Sequence, residues 1–180
     1  MGAVGLVWGM AAGKPRVFRV LLPEDGRSGA ERRAKLYPEA RTGVPAEIKR
    51  TAAALAGMLR GDTVKIPLET AALETCSPFR QTVYRAAYRI PRGSVFTYGE
   101  LAERIGRGGA ARAVGNALAA NPFPLIVPCH RVIRSDGRIG GFTGGAGLKR
   151  RLLEAEGIVF NRSGRASPRR LDDYKPPGNP

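Results

Sequence analysis

Residues Thr97–Pro122, TYGELAERIGRGGAARAVGNALAANP, predict two short helices joined by a glycine-rich turn. The first helix opens with a capping box, in which the Thr97 hydroxyl and the Glu100 carboxylate each bond a free backbone N–H of the first turn. Leu101 and Ile105 follow four residues apart, which places both on one helix face. Two helices joined in this way outline a helix-turn-helix motif, and this motif fixes the expected fold of the C-terminal half.

The second helix of this pair is expected to have two distinct faces. Ala111, Val114 and Leu118 face the protein interior, while Arg112 and Asn116 share the outer face. Other outer positions are small and leave room for a bulky partner: Gly115, Ala119 and Ala120. The motif is compatible with DNA binding, but helical hairpins that bind nothing are at least as common, so this segment alone leaves both open.

A third helix precedes the pair, in SPFRQTVYRAAYRIPRG. Ser77 is expected to cap it, with Pro78 just inside its first turn. It ends at Ile90-Pro91, because the residue before a proline disfavours the helical conformation. Its apolar face comprises Phe79, Val83 and Ala87.

The first residues predict a β-hairpin. The segments AVGLVW and RVFRVLL, residues 3–8 and 16–22, are rich in β-branched and apolar residues. They flank glycines and a proline in residues 9–15, which predict a loose loop between the two strands.

A helix over residues 45–62 is expected to follow. Pro45 suits its start and Gly61 its end, and an apolar stripe runs along it at Ile48, Ala52, Leu55 and Leu59. These elements make residues 1–74 a small α/β unit. Residues 65–75, KIPLETAALET, are expected to be a linker.

The charge of the chain favours a polyanionic partner. Lys and Arg number 30 against 15 Asp and Glu, a net charge of +15 in 180 residues. Nucleic acid is the simplest such partner, and a charged surface kept for solubility is the alternative. The excess concentrates in residues 75–160, with 13 basic and 5 acidic residues. Residues 161–180 are basic and proline-rich, and we expect a disordered tail there.

Composition also bears on the compartment. No apolar run approaches the roughly 18 residues of a membrane helix, so no membrane partner is expected. The opening MGAVGLVWGMAAGK lacks a basic leader and is broken by glycines, which argues against a signal peptide. Two cysteines in unlike contexts, Cys76 and Cys129, argue against a disulfide framework. A reducing cytoplasm is therefore the expected location.

Cys129 stands beside His130, the single histidine of the chain. The run PLIVPC, residues 124–129, predicts a buried strand with the cysteine at its end, and Asp136-Gly137 predicts a hairpin turn after it. A small core cysteine is the ordinary alternative. Three nearby prolines, the adjacent imidazole and the charged Arg131 favour chemistry instead.

The residue types limit what this pair can do. One His and two distant Cys cannot form a zinc shell without several carboxylates. A cysteine hydrolase needs direct contact between sulfur and imidazole, yet neighbours in an extended segment point to opposite faces. A water between thiol and imidazole, with a carboxylate such as Glu156 orienting the far ring nitrogen, satisfies the geometry.

The segment from Ser77 to Gly157 resembles the O6-alkylguanine-DNA alkyltransferases, or methylated-DNA-protein-cysteine methyltransferases. The resemblance rests on SPFRQTVYRAAYRIPRGSVFTYGELA, ARAVGNALAANP and NPFPLIVPCHRVIRSDGRIGGFTGG, and the PCHRV core in this setting is highly specific. It implies a short RNase-H-like α/β N-terminal domain, residues 1–74. A mainly α C-terminal domain with a winged helix-turn-helix DNA-binding motif follows, residues 75–160.

The resemblance implies direct-reversal DNA repair. Cys129 would take the alkyl group of O6-alkylguanine in double-stranded DNA irreversibly, once per molecule, with His130, a water and Glu156 making the thiolate. Asn121 would tie the helix-turn-helix to the active-site strand. Tyr98 would rotate the backbone phosphate and donate a hydrogen bond to the leaving purine.

Further site residues follow from the same resemblance. Arg112 would enter the duplex through the minor groove and fill the gap left by the extruded nucleotide. The rest of the DNA-binding face comprises Tyr98, Ala111, Gly115 and Asn116, and the substrate pocket comprises Pro124, Val132, Phe142 and Thr143. The protein would act as a monomer and need no cofactor or metal.

Departures from the family pattern keep alternatives open. Phe142 stands where many relatives carry Tyr, so stacking survives while a hydroxyl contact to the base is lost. The N-terminal unit has no His and no Cys before Cys76, which excludes the structural zinc of some relatives. A lesion-sensing, alkyltransferase-like protein without transfer activity is the main alternative, although such proteins replace the acceptor cysteine. A cysteine hydrolase ranks third.

Overall fold

The computed structural model describes residues 3–24, 26–37 and 43–166. Over these residues the chain forms two small sheets and six α-helices, an arrangement consistent with a two-domain α/β fold. The strands are β1 (Gly5–Ala11), β2 (Lys14–Leu21), β3 (Phe96–Thr97) and β4 (Val132–Ile133). The helices are α1 (Gly29–Leu36), α2 (Ala46–Arg60), α3 (Pro78–Tyr88), α4 (Tyr98–Arg104), α5 (Ala111–Ala119) and α6 (Gly145–Ala155). None of the helices in the described ranges has the length and apolar character needed to cross a membrane.

The N-terminal hairpin is confirmed, but its predicted loose loop is wrong. Strands β1 and β2 pair antiparallel from Gly5 opposite Leu21 to Ala11 opposite Lys14. Only Ala12 and Gly13 lie between them, both with positive φ (49° and 71°). A two-residue turn with both residues left-handed matches the twist of paired strands, so the ladder continues through most of the predicted loop.

Helix α1 was not predicted, although its start carries a capping box. Ser28 Oγ accepts from the Glu31 N–H at 3.2 Å, and the Glu31 carboxylate accepts from the Ser28 N–H at 2.7 Å. The helix begins at Gly29 directly against the hairpin, where an added Cβ would lie 1.9 Å from the Leu21 oxygen. Only glycine permits this close approach between helix and strand.

Helix α2 is confirmed, with Pro45 before its first residue and Gly61 after its last. The φ of 102° at Gly61 is the left-handed C-terminal cap that glycine favours. The predicted linker is not a free connection. It forms two short 3₁₀ turns, Leu68–Thr70 and Leu73–Thr75, and Ala72 N–H donates to the Val17 oxygen at 2.9 Å.

Helices α3, α4 and α5 occupy the predicted segments. At α4, Thr97 and Glu100 make both bonds of the capping box, at 3.1 and 2.6 Å. At α3, Ser77 lies at the cap position but makes no side-chain cap bond. In α5, Val114 and Leu118 are buried, Ala111 is half-buried, and Arg112 and Asn116 are exposed as predicted.

The predicted strand before Cys129 is wrong. Residues 124–127 are buried but form a tight turn in which Leu125 has a φ of 73°, and Cys129–Arg131 form a single 3₁₀ turn. Prolines at 122, 124 and 128 explain the difference, because none of them can donate a hydrogen bond to a sheet.

The predicted hairpin at Asp136-Gly137 is also wrong, although the turn itself forms, with Gly137 N–H donating to the Arg134 oxygen at 3.0 Å. Strand β4 instead pairs in parallel with β3, Phe96 opposite Val132. This pairing places the start of α4 beside the residues that follow Cys129.

One core joins the N-terminal unit to the C-terminal helices. The buried cluster includes Val20 and Leu55 from the former and Tyr84, Val114 and Phe123 from the latter. A backbone bond from Val20 N–H to the Pro122 oxygen, 2.8 Å, ties β2 to the turn before Cys129.

The start of the segment expected to form a disordered tail folds back on the C-terminal domain. Ala166 is buried, and its N–H donates to the Gly137 oxygen at 2.8 Å. Residues 167–180 lie outside the described residues.

The two caps predict unequal losses of stability. Thr97→Ala removes a side-chain cap bond and should lower the free energy of unfolding by about 1 kcal/mol. Ser77→Ala, the matched control, removes a hydroxyl that makes no such bond, and should cost no more than a few tenths of a kcal/mol. Urea unfolding followed by circular dichroism measures both, and equal losses would contradict the assignment.

Candidate active site

Asn121 positions the sulfur of Cys129. This side chain is 4% exposed and directly follows the end of α5. Its amide nitrogen lies 3.2 Å from Cys129 Sγ and 3.3 Å from the Val127 oxygen, and its amide oxygen accepts from the Phe123 N–H at 2.9 Å. The amide therefore holds both ends of the proline-rich turn and connects α5 directly to the sulfur.

Cys129 is 5% exposed, and it lines a cavity of about 570 Å³. This volume lies within the range of about 300–1,000 Å³ typical of small-molecule sites. The lining residues come from four parts of the chain: Tyr98 of α4; Gly115, Leu118 and Ala119 of α5; Gly141, Phe142 and Thr143 of the glycine-rich loop; and Glu24 and Arg32 of the N-terminal unit. The sulfur is thus buried but reachable through this cavity.

The thiol of Cys129 is neutral at rest. Burial raises its pKa above the ordinary value, and the hydrogen bond from Asn121 and the charge of Lys149 only partly oppose this effect. An apolar enclosure therefore disfavours the charged form until a proton acceptor takes the thiol proton.

Glu156 accepts hydrogen bonds at the centre of a buried polar cluster. Its side chain is 3% exposed and lies 3.1 Å from His130 Nε2. Arg131 donates to both carboxylate oxygens, at 2.8 and 2.9 Å, and also to the Ile90 oxygen at 2.6 Å. Burial alone would raise the pKa of Glu156, but the bonds from His130 and Arg131 outweigh it and lower the pKa to about 2.

The ionised Glu156 fixes the tautomer of His130. A carboxylate only accepts, so the Nε2 atom carries the proton and Nδ1 keeps a lone pair. Burial lowers the pKa of His130, so the ring is neutral. Nδ1 is buried and has no hydrogen-bond partner among the described residues. This nitrogen therefore keeps a free lone pair and can act as a base.

Lys149 is a site residue that the sequence pattern did not predict. It is fully buried, and its Nζ donates to the Val132 oxygen at 2.6 Å and to the Gly141 oxygen at 3.3 Å. Burial lowers its pKa to about 8. Arg131 was likewise not assigned a role. The signal for Lys149 was its place between Leu148 and Leu152, on the inward face of α6.

The remaining predicted residues divide between the cavity and its surroundings. Tyr98, Phe142 and Thr143 line it, and the Phe142 ring meets the His130 ring edge-on at 6.2 Å between centroids. Burial raises the pKa of Tyr98, which keeps its hydroxyl protonated. Val132 and Pro124 are buried, and neither belongs to the cavity lining given by the described residues. Their role in the pocket stays a prediction.

The outer face of α5 adjoins the same cavity. Gly115 lies against Tyr98, since a Cβ added there would be 3.8 Å from the tyrosine ring. Arg112 and Asn116 are exposed on this helix, one turn apart. A ligand that contacts these side chains therefore also meets the mouth of the cavity.

The ion cluster predicts a pH-dependent stability. The folded-state pKa of Glu156 is about 2 against an ordinary 4.5. The contribution of its ionised form to folding stability is therefore present above pH 4.5 and is lost as the pH falls toward 2. Glu156→Gln should therefore cost roughly 3 kcal/mol of unfolding free energy at pH 7 and clearly less at pH 3.

Glu154→Gln is the matched control, because Glu154 lies two residues earlier, is 45% exposed and pairs with Arg150 at the surface. It should change stability by less than about 1 kcal/mol at either pH. Urea unfolding at pH 7 and pH 3 measures the difference, and a loss in Glu156→Gln that is the same at both pH values would contradict the ionised state.

Sequence comparison shows which known proteins the chain is similar to. A sequence profile described as "6-O-methylguanine DNA methyltransferase, DNA binding domain" matches residues 78–158. The methylated-DNA–protein-cysteine methyltransferase of Methanothermobacter thermautotrophicus is 45% identical over 114 residues, which are 63% of this chain and 64% of the relative. The match thus spans less than two thirds of that relative's own length.

Solved structures extend the likeness over most of the chain. A point variant of the Mycobacterium tuberculosis O6-methylguanine methyltransferase is 30% identical, with a TM-score of 0.61 over 85% of this chain and 92% of that one. The M. tuberculosis OGT in complex with DNA is 40% identical, with a TM-score of 0.54 over 60% of this chain and 66% of that one. The chain therefore belongs to the O6-methylguanine-DNA methyltransferase family.

Proposed function

We propose that this protein repairs DNA directly, by moving the alkyl group of an O6-alkylguanine onto its own Cys129. The observation that carries the proposal is the sulfur itself, which lies in a cavity bounded by α5 and the glycine-rich loop, beside a histidine whose free nitrogen can take its proton. A lesion sensor without transfer activity has no need of this sulfur.

The partner is double-stranded DNA, bound by α4 and α5 acting as a winged helix-turn-helix. The charge of +15 supports a polyanionic partner, and the small residues on α5 leave room for close approach in the minor groove. A relative with a DNA complex supports the same assignment. In this proposal residues 1–74 form an RNase-H-like domain, residues 75–160 form the DNA-binding and active-site domain, and the protein works as a cytoplasmic monomer.

The lesion must leave the base stack before the sulfur can reach it. In a duplex the alkyl carbon lies within the stack, so the nucleotide is extruded at a cost of a few kcal/mol, which is smaller for a badly paired base. Arg112, exposed on α5, enters the duplex and fills the gap. Ala111 and Asn116 contact the backbone on either side, and Gly115 lets the helix approach.

Transfer is an in-line displacement that needs no cofactor. The Cys129 proton passes to His130 Nδ1 through a water, and Glu156 stabilises the imidazolium that forms. The sulfur forms a bond to the alkyl carbon while the bond from that carbon to O6 breaks, and the electron pair moves into the purine. Tyr98, held protonated by burial, donates a hydrogen bond or proton to the leaving guanine.

The product explains why each molecule acts once. A thioether at Cys129 has no good leaving group, and no described residue in the cavity is placed to cleave it. Asn121 and Lys149 hold the sulfur and the loop in place throughout the reaction. The base itself packs against Phe142 and Thr143, with Val132 and Pro124 completing the pocket.

Label transfer tests the acceptor. A duplex carrying O6-[methyl-³H]methylguanine should place one label per chain on the peptide that contains Cys129, as read by mass spectrometry. Cys129→Ser should bind this duplex and take no label. Cys76→Ser is the matched control, since Cys76 is the other cysteine and is half-buried outside the cavity, and it should react normally. Label on any other residue, or none, would overturn the proposal.

Arg112→Ala tests extrusion separately from chemistry. Reaction with the lesion duplex should slow about tenfold or more, since each 1.4 kcal/mol lost from the extruded state is worth a factor of ten. Reaction with free O6-benzylguanine, which needs no extrusion, should change far less. Single-turnover rates on both substrates provide the measurement, and equal losses would contradict the assigned role.

A further inference from the structure

The N-terminal unit contributes a charged edge to the cavity that holds Cys129. Glu24 and Arg32 line this cavity together with residues of α4, α5 and the glycine-rich loop. Within the described lining they are the only two side chains with a full charge. Arg32 is 20% exposed and Glu24 36%, so the pair lies at the mouth of the cavity and not in its interior.

Arg32 divides its guanidinium between two partners. One nitrogen, Nη2, pairs with Glu24 Oε2 at 2.6 Å, and the other, Nη1, donates to the Leu22 oxygen at 2.8 Å. Leu22 is fully buried and lies beside Gly144 of the glycine-rich loop. The Leu22 carbonyl therefore anchors Nη1 of the guanidinium to the core, while Nη2 faces Glu24, a partner that can be exchanged.

We propose that Arg32 binds a DNA backbone phosphate of the extruded nucleotide, exchanging Glu24 for it when the nucleotide enters the cavity. This inference rests on the proposed function. A nucleotide with its base at Cys129 brings its flanking phosphates to the mouth, where Arg32 lies. The planar guanidinium matches the oxygens of a phosphate, and a charge-assisted bond to phosphate replaces the one to carboxylate.

Glu24 acts as the competitor in this exchange. A half-exposed ion pair contributes little to stability, so its loss costs little. While the cavity is empty, the carboxylate occupies the arginine and repels phosphates from the mouth. Once an extruded nucleotide arrives, its phosphate displaces the carboxylate. The N-terminal unit would thereby favour an extruded nucleotide over DNA that is merely in contact with the protein.

Salt-dependent binding tests the exchange. In full-length protein carrying Cys129→Ser, the Kd for an O6-methylguanine duplex is measured by fluorescence anisotropy over a salt series. Adding Arg32→Gln should weaken binding about tenfold and reduce the slope of log Kd against log salt by about 1, the expected value for one lost phosphate contact. Adding Glu24→Gln should tighten binding about two- to fivefold at low salt, because the competitor is removed.

Lys35→Gln is the matched control. It removes one positive charge from the same helix, and its side chain does not line the cavity. The slope of log Kd against log salt for this variant should stay close to that of the Cys129→Ser protein. Arg32→Lys keeps the positive charge but loses the planar guanidinium, so it should retain the slope of log Kd against log salt and bind the duplex more weakly. This variant also tests the inference if Arg32→Gln does not fold.

Two results would overturn the inference. Equal slopes for the Arg32→Gln and Lys35→Gln proteins would show that Arg32 meets no phosphate, and a loss of affinity in Glu24→Gln as large as that in Arg32→Gln would show that the pair only supports the fold. Label transfer to Cys129 in the unmodified chain is measured in parallel. If that transfer occurs and the slopes are equal, only this inference fails; if no transfer occurs, the proposed function fails.

Discussion

The carboxylate of Glu156 is the interaction on which the rest of the site depends. It lies at the end of α6 and is bound by the Arg131 fork and by the His130 ring, both in the turn that follows the cysteine. Arg131 also bonds the Ile90 oxygen at the end of α3. One buried charge thus joins three separate parts of the chain. Removing it would leave the Arg131 guanidinium, only 12% exposed, without its carboxylate partner, which is far more costly than the net value of the intact cluster.

In the proposed mechanism the same carboxylate determines when the sulfur becomes reactive. Because Glu156 binds Nε2–H, the base that remains is Nδ1, and because burial raises the pKa of Cys129, the thiol keeps its proton until that base takes it. A neutral, enclosed thiol is also a poor target for oxidants, since the thiolate is the reactive form. Under the proposed function each molecule uses its cysteine once, and such a protein would gain from this protection. Burial and reactivity are therefore compatible here.

Local chemistry made part of the structure predictable. The Thr97 and Glu100 capping box, the Gly61 stop and the faces of α5 are set by residues within a few positions of each other, and all three formed as expected. The choice of Glu156 as the carboxylate that contacts the His130 ring also followed from residue types. That contact was predictable because the chain has a single imidazole, which leaves few chemical options.

Long-range contacts account for what the sequence did not reveal. The PLIVPC run is apolar enough for a strand, but its prolines and the Asn121 amide favour a turn, and β4 pairs with a strand some 35 residues earlier instead of with its neighbour. In the sequence Lys149 is one of three basic residues in LKRRLL, and only the fold shows that it is the buried one. The Glu24–Arg32 pair reaches the cavity because the N-terminal unit shares a core with the C-terminal helices and β2 bonds to the turn at Pro122.

The tautomer of His130 is the most direct test of this account, and the chain's single histidine makes it readable. In protein labelled with ¹⁵N at the imidazole, long-range proton–nitrogen spectra at pH 7 should show one protonated nitrogen, Nε2, and one unprotonated nitrogen, Nδ1. Glu156→Gln should lose this strict preference. A proton on Nδ1 in the unmodified protein, or a ring protonated on both nitrogens, would leave no base beside Cys129 and would contradict the central claim.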